Sequence, residues 1–509
     1  FYLNYLHLQQ DNRPDGGIPT VGLNGYYNAA LANAGITPPR AVERNNYYGK
    51  LTDHEDVNVD MFTARLEHDL QPGVVLRNVA RAGKAQHMLI LTAPQGAVSD
   101  GSGNNAVARP DPETWTADLR RHGKWQENRL LTNQTSLSAQ FDTAGIGHNL
   151  NAGIEFIYEE QLSKTRDGLG TLAPQNLWRP NLDAPLSDYN PGFSGAQTRG
   201  TSFTVGTYLF DTLTFSDQWL LSGGVRLDKY TVDSNILSAP NDATPPTQTG
   251  TALADSDTLF SWKLSPMFKP TENGTIYLAY STSQQPPGGS NFTLNANANN
   301  INNPNMDPSK ASNIELGTKW EVLDNRLALS AAIYRSDVRN DLTQTDPVTG
   351  DITQYGKKQV KGIEVGAVGQ VTEDWSLSAG LAKMDTSVER GSQTQQGASL
   401  NWSPELTLTA WSTYRLPFGL TLGGGARYVD SMVRRIDNTA QAATTNMLEV
   451  PSYWVFDAMA EYEINRHVAV QLNVANLADK AYIANLNNNG NRYIPGAERS
   501  ALLTTRVQF

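Results

Sequence analysis
The stretch Trp454-Val455-Phe456-Asp457-Ala458-Met459-Ala460-Glu461-Tyr462-Glu463-Ile464 decides the fold. One parity carries Trp454, Phe456, Ala458, Ala460, Tyr462 and Ile464, and the other carries Asp457, Glu461 and Glu463. After Asn465-Arg466 the pattern resumes, with Val468, Val470, Leu472 and Val474 opposite Gln471 and Asn473. A last segment sets Leu503, Val507 and Phe509 opposite Arg506 and Gln508. Successive side chains of a strand point to opposite faces, so each segment has one apolar and one polar face. The polar face is rich in charge and amide, which suits a wall with lipid outside and water inside. The expected fold is all-β, an antiparallel transmembrane β-barrel of an outer membrane. Trp454, Phe456, Val470 and Phe509 should face lipid; Asp457, Glu461, Gln471 and Arg506 should face the lumen.

Composition agrees. The 509 residues are 39% hydrophobic with a mean hydropathy of -0.45, and no run approaches the roughly 20 apolar residues of a helical span. A spanning strand needs only about 10 residues, half of them polar. The 20 Tyr, 14 Phe and 10 Trp suit aromatic girdles at two interfaces. Cysteine is absent, which excludes disulfides and thiolate metal sites. A net charge of -11 argues against a nucleic-acid partner, whose phosphates need clustered Lys and Arg. The seven His (His7, His54, His68, His87, His122, His148 and His467) show no metal-ligand spacing. No Ser, His and acidic trio stands out, so an enzyme is not expected.

Connections alternate in length. Turn-forming residues sit at Gln71-Pro72-Gly73, Pro270-Thr271-Glu272-Asn273-Gly274, Asp324-Asn325, Thr372-Glu373-Asp374, Pro417-Phe418-Gly419 and Asn465-Arg466. Between them lie long polar stretches: Gln10–Asp56, Ala93–Asn128, Gln161–Gly200, Asn235–Ser256 and Ser283–Pro308. Short turns on one side and long loops on the other are what outer-membrane barrels show. The count is about 18 strands, from Tyr2–Leu8 to Ala501–Phe509.

Several motifs resemble the TonB-dependent outer-membrane receptors: Asn313–Trp320 followed by Arg326–Arg335, Lys361–Val365, Asp374–Gly380, Asn473–Tyr482 and Pro495–Arg499. The resemblance runs over essentially the whole chain. Asp11–Pro19, Tyr208–Leu213 and Gln284–Phe292 further resemble the catecholate-siderophore branch. The family barrel has 22 strands around a plug. About 18 strands therefore imply that residues 1–509 are the barrel domain of a longer receptor. Its N-terminal plug, its first strands and the segment that meets the TonB energy-coupling protein would lie outside this sequence. A closed 18-stranded porin-like pore is the alternative.

The resemblance implies a receptor and transporter for ferric siderophores, with the iron carried inside the siderophore and no cofactor held by the chain. A receptor for another chelate such as a hydroxamate, and a phage-docking surface, are the other readings. Implied partners are the siderophore, TonB, outer-membrane lipid and lipopolysaccharide, and the barrel-assembly machinery, in a Gram-negative outer membrane. A tris-catecholate complex is anionic with saturated iron, so its receptor needs cations, aromatic faces and orienting polar groups. The expected ligand-binding residues are Arg13, Tyr47, Tyr48, Trp115, Trp178, Phe193, Arg199, Gln284 and Gln285, with Arg40, Arg44, Arg109 and Arg179 as further loop cations. A solvated surface is the commoner fate of any one loop Arg. Phe509 resembles the terminal aromatic assembly signal of such barrels.

Overall fold
The computed structural model describes all residues except 100–110, 242–245, 299, 346–351, 393, 437–445 and 509. Phe509, expected to face lipid and to signal assembly, and Arg109 therefore lie outside the described residues. The main sheet has nineteen strands, one of them the two-residue Gln175–Asn176, which leaves eighteen long ones among the described residues. They are β1 (Tyr2–Asn12), β2 (His54–Gln71), β3 (Val74–Ser99), β4 (Thr116–Thr143), β5 (Ile146–Thr171) and β6 (Ser187–Thr214). Next come β7 (Trp219–Leu237), β8 (Gly250–Thr271), β9 (Gly274–Gln285), β10 (Ser309–Val322), β11 (Leu327–Thr345) and β12 (Ile352–Gln370). The set ends with β13 (Trp375–Arg390), β14 (Leu406–Arg415), β15 (Leu420–Val429), β16 (Tyr453–Asn465), β17 (Val468–Ala475) and β18 (Ser500–Val507).

Each long strand pairs antiparallel with the one before it, so the wall is a single meander. No pairing joins β1 to β18 among the described residues, so these eighteen strands do not close on themselves. The expected turns are all found at one end. At Asp324-Asn325 both residues have positive φ (56° and 64°), the left-handed geometry that matches strand twist in a tight hairpin.

The two faces are inverted relative to a soluble protein. Ile333 and Ile363, directly paired on β11 and β12, are 52% and 51% exposed. Leu316 beside them, Leu278 and Val365 lie on the same outer face and are also exposed. The opposite parity carries Tyr277, Glu315, Tyr334 and Glu364, and the Tyr277 hydroxyl donates to Glu315 Oε1 at 2.5 Å. On β16, Trp454, Phe456 and Tyr462 are exposed, while Arg506 Nη2 meets Glu461 Oε1 at 3.3 Å across the other face. Trp219 and Phe268 pair near the turn end at 4.7 Å, and Trp262 and Tyr280 pair higher up at 5.0 Å. Six residues separate Trp262 from Phe268, about 20 Å along a strand at roughly 3.3 Å per residue. Both pairs lie on the outward parity, where the aromatic girdles of a lipid-facing band stand.

The strands run further than the sequence suggests. β4 has 28 residues, about 92 Å at roughly 3.3 Å each, so its upper half stands clear of the lipid. Much of the expected loops Ala93–Asn128 and Gln161–Gly200 is therefore strand. Above the membrane the strands meet water and the connecting segments instead of lipid, with Ile90, Thr92 and Ala117 buried under those segments, and the apolar period that marks a strand disappears.

One outcome follows for the wall. Val365→Arg places a charge on the lipid face and should cost about 2–4 kcal/mol in folding into vesicles. Glu364→Gln, one residue away on the lumen face, should cost less than about 1 kcal/mol. Denaturant titration of the lipid-inserted protein checks the difference.

Candidate ligand-binding mouth
The long connections at the end opposite the turns fold into a core of their own. Residues 13–53, 111–117, 172–186, 446–452 and 476–499 contribute Ile18, Val21, Leu31, Leu177, Met447, Ile483, Leu486 and Tyr493 to one buried cluster. A three-stranded sheet of Ile18–Pro19, Arg492–Pro495 and Ile483–Leu486 organises it. The helix Ala29–Asn33 is capped by Asn28, whose side chain accepts from the Leu31 N–H at 3.1 Å. Ion pairs clamp these segments together: Arg44 reaches Asp479 at 2.9 Å and Glu498 at 2.8 Å. The Asp53 carboxylate accepts from the backbone N–H and hydroxyl of Thr92, both at 2.9 Å, and so ties the first connection to β3.

Three expected ligand residues belong to this core rather than to an open surface. Tyr48 and Trp115 are each 1% exposed and Trp178 is 5%. Trp115 stacks on Trp178 at 6.5 Å, Trp178 Nε1 donates to the Pro112 carbonyl at 2.8 Å, and Tyr48 donates to the Leu177 carbonyl. The partner these rings need is the loop core itself. Arg40 lies over the outer face of Trp178 at 4.6 Å, and Arg179 approaches Glu113.

The remaining candidates are dispersed. Arg13 is exposed on the first connection, beside Tyr47, whose hydroxyl donates to the Pro14 carbonyl at 3.0 Å. Burial, and then the Asp53 carboxylate, push the Tyr47 hydroxyl up to about 12, so it remains a neutral donor at physiological pH. Phe193 is 49% exposed, edge-on to Trp125 at 6.1 Å with the Arg166 guanidinium 4.9 Å away. Arg199 pairs with Glu160 at 2.8 Å on the outer parity of β6, in line with the exposed Phe203. Gln284 shares the outer parity of β9 with Leu278 and Tyr280 and donates to the Phe260 carbonyl at 2.6 Å. Gln285 takes the inner parity. The structure does not bring these residues to one place.

It brings together a different set. A cavity of about 710 Å³ is lined by Gln95, His122, Trp402, Met432, Val450, Asn485, Asn487, Asn488, Asn489 and Arg492. His122 has the inward parity of β4, shared with Gln134, which hydrogen-bonds the lumenal Tyr208. Gln95 Nε2 lies 3.1 Å from His122 Nε2. Arg492 is anchored by donating to the Pro94 carbonyl at 2.9 Å, and burial lowers its guanidinium pKa, although an arginine stays charged. Arg434 donates to the carbonyls of Met447 at 2.6 Å and Asn488 at 2.7 Å, which fixes the Asn-rich segment in place. Arg120 stands on the next inward position of β4 above His122. Trp402 holds φ at 57°, a region that costs a bulky residue about 1–3 kcal/mol. None of the described lining residues is acidic, in a chain of net charge -11. Asn485 to Asn491 is an Asn-rich run, the one sequence signal that could have pointed here. No spacing links His122 to Arg492.

Fold and mouth together define a membrane-spanning receptor. Residues 2–477 match the family described as TonB dependent receptor-like, beta-barrel, and the chain belongs to that family. It is a receptor, not an enzyme. It is 37% identical over 527 residues to the catecholate siderophore receptor Fiu of Escherichia coli K12, covering 100% of this chain and 67% of that protein. It is 28% identical to the ferrioxamine B receptor of Salmonella typhimurium SL1344, covering 97% of this chain and 64% of the relative. The crystal structure of Fiu in its closed form superposes with a TM-score of 0.91 at 35% identity, covering 100% of this chain and 72% of that one. The siderophore receptor PiuA of Acinetobacter baumannii gives a TM-score of 0.80 at 28% identity, covering 99% and 71%.

Trp115→Ala should remove about 3–5 kcal/mol from the loop core. Limited proteolysis should then cut within residues 13–53 and 172–186 while the barrel strands stay protected.

Proposed function
We propose that this receptor takes up ferric catecholate siderophores from outside a Gram-negative cell, with uptake energised through TonB. The observation that carries the reading is the cavity at the mouth, lined by Arg492, His122, Trp402 and a run of amides with no carboxylate among its described lining. An anionic chelate with saturated iron asks for those groups: a cation for the charge, an indole face for a catechol ring, and amides for the ring oxygens. The chelate brings its own iron, so the chain holds no cofactor. The 37% identity with a catecholate receptor against 28% with a ferrioxamine receptor supports the same choice.

The wall also needs completion. The free edges of β1 and β18 would each leave a row of backbone groups unpaired in lipid, at several kcal/mol per group. Relatives of which this chain spans 67% have the length to supply further strands and a plug. We place the first strands, the plug and the TonB-contacting segment in that additional sequence. Assembly by the barrel-insertion machinery belongs to the same proposal.

Growth of cells with this receptor as their only route for iron tests the substrate class. Ferric catecholate should support growth and a ferric hydroxamate should not; growth on the hydroxamate alone would overturn the class. A desolvated Arg–anion contact contributes about 1.5–3 kcal/mol, so Arg492→Ala should weaken catecholate binding roughly tenfold or more. The exposed Arg13→Ala should shift it by less than about twofold.

A further inference from the structure
Among the described lining residues of the mouth cavity, His122 is the group whose charge can change near neutral pH. Its surroundings hold that charge off. Burial, then Arg492 and then Arg120, lower the imidazole pKa below its ordinary value. On the inward parity of β4, Arg120 stands one position above His122 and Lys124 one below. Asp118, two inward positions above, is the carboxylate on that stretch of strand and does not line the cavity. On β5, Lys164 and Arg166 cover Trp125 and Phe193 on the opposite parity. The facing elements present Gln95 of β3, the amides of Asn485 to Asn489, and Arg492, while Arg434 is held on the carbonyls of Met447 and Asn488.

The hydrogen bond of this imidazole suits either charge state. Gln95 Nε2 approaches His122 Nε2 at 3.1 Å. An amide nitrogen can only donate, so Nε2 carries the lone pair and the ring is neutral. A protonated ring needs an acceptor at the same place. The Gln95 amide supplies one by turning over, because it carries an oxygen and a nitrogen on one planar group. The neighbouring backbone acceptors are already used: the Pro94 carbonyl takes Arg492 and the Gln95 carbonyl takes Asn491 Nδ2. The hydrogen-bond partner of His122 is thus an adaptable amide rather than a carboxylate that would fix the charge.

We propose that His122 is a specificity-determining residue that matches the charge of the cavity to its ligand: an anionic chelate bound beside Arg492 draws a proton from solvent onto the imidazole, and Gln95 turns to accept it. The inference rests on the anionic-ligand reading of this cavity. Arg492 supplies one fixed positive charge. His122 supplies a second only when the ligand is anionic enough to offset burial and the repulsion of Arg492 and Arg120. A chelate of little charge draws no proton, so the pair selects for negative charge as well as meeting it. The imidazole pKa is depressed in the free receptor and raised by a bound anion. Binding therefore takes up a proton between those two values, and affinity for the anion rises as pH falls through that window.

The test is calorimetric titration of the full-length receptor in detergent with a ferric tris-catecholate. Titrations near neutral pH in two buffers of different ionisation enthalpy give the protons taken up per chelate bound. The unaltered receptor should take up a fraction of a proton more than His122→Gln, for which the chelate's own proton exchange is the same. Between about pH 8 and about pH 6 its affinity should rise roughly threefold or more relative to that variant, a fully linked proton being worth about tenfold per pH unit. His122→Lys, with a fixed charge, should also lose the extra uptake yet bind more tightly than His122→Gln at the alkaline end. The comparison with His122→Lys stands independently of how well the glutamine variant folds. Equal proton uptake by the unaltered receptor and either variant, all binding the chelate, would overturn the inference and leave the substrate class standing. So would weaker binding by His122→Lys than by His122→Gln at the alkaline end. No binding of the chelate by the unaltered receptor would overturn both readings.

Discussion
The ladder of backbone hydrogen bonds between neighbouring strands is the constraint on which the rest depends. Inside hydrocarbon, each unpaired N–H or C=O costs several kcal/mol, so only a helix or a fully paired wall can cross. None of the described helices is long and apolar enough to cross. The meander from β1 to β18 pairs every long strand with its neighbours and leaves only the outer edges of its first and last members. Face inversion follows from the same constraint: a paired wall between lipid and water must turn Ile333, Ile363 and Leu316 outward and Tyr277, Glu315 and Glu364 inward.

A rigid wall can carry a precise site on its connections. The mouth is not a set of independent flexible loops. Tyr48, Trp115 and Trp178 form a small core, Arg44 links the first connection to Asp479 and Glu498, and Arg434 pins the Asn-rich segment. These contacts hold Arg492, His122 and Trp402 around one cavity without occupying it. Preorganisation of this kind reduces the ordering cost of binding.

Most of the fold was legible because one-in, one-out alternation is a direct consequence of strand geometry. The turns at Asp324-Asn325 and Pro417-Phe418-Gly419, the strand number and the faces of Trp454 and Glu461 could be read from that alone. The upper halves of β3–β6 could not, because they meet water, as at Gln161–Thr171, or the connecting segments, as at Thr92 and Ala117, and carry no apolar period. The site was harder. Tyr48, Trp115 and Trp178 look like exposed binding rings in segments rich in Asn, Gly and Pro, yet they bury one another, and burial depends on long-range contacts the sequence does not show. Arg492 meets His122 across 370 positions, through a sheet of four-residue strands with little propensity of their own. Arg199 and Gln284 stood in stretches read as loops; strand parity puts them on the outer face.

The central claim is that lipid lies against the apolar parity of the wall and water against the polar one. The chain has no cysteine of its own, so single cysteines at Leu316 and at its neighbour Glu315 can each carry a fluorophore in bilayers. Quenching by brominated lipid should be strong at position 316 and weak at 315, with an aqueous quencher giving the opposite order. Lipid quenching at 315 and water access at 316 would contradict the account.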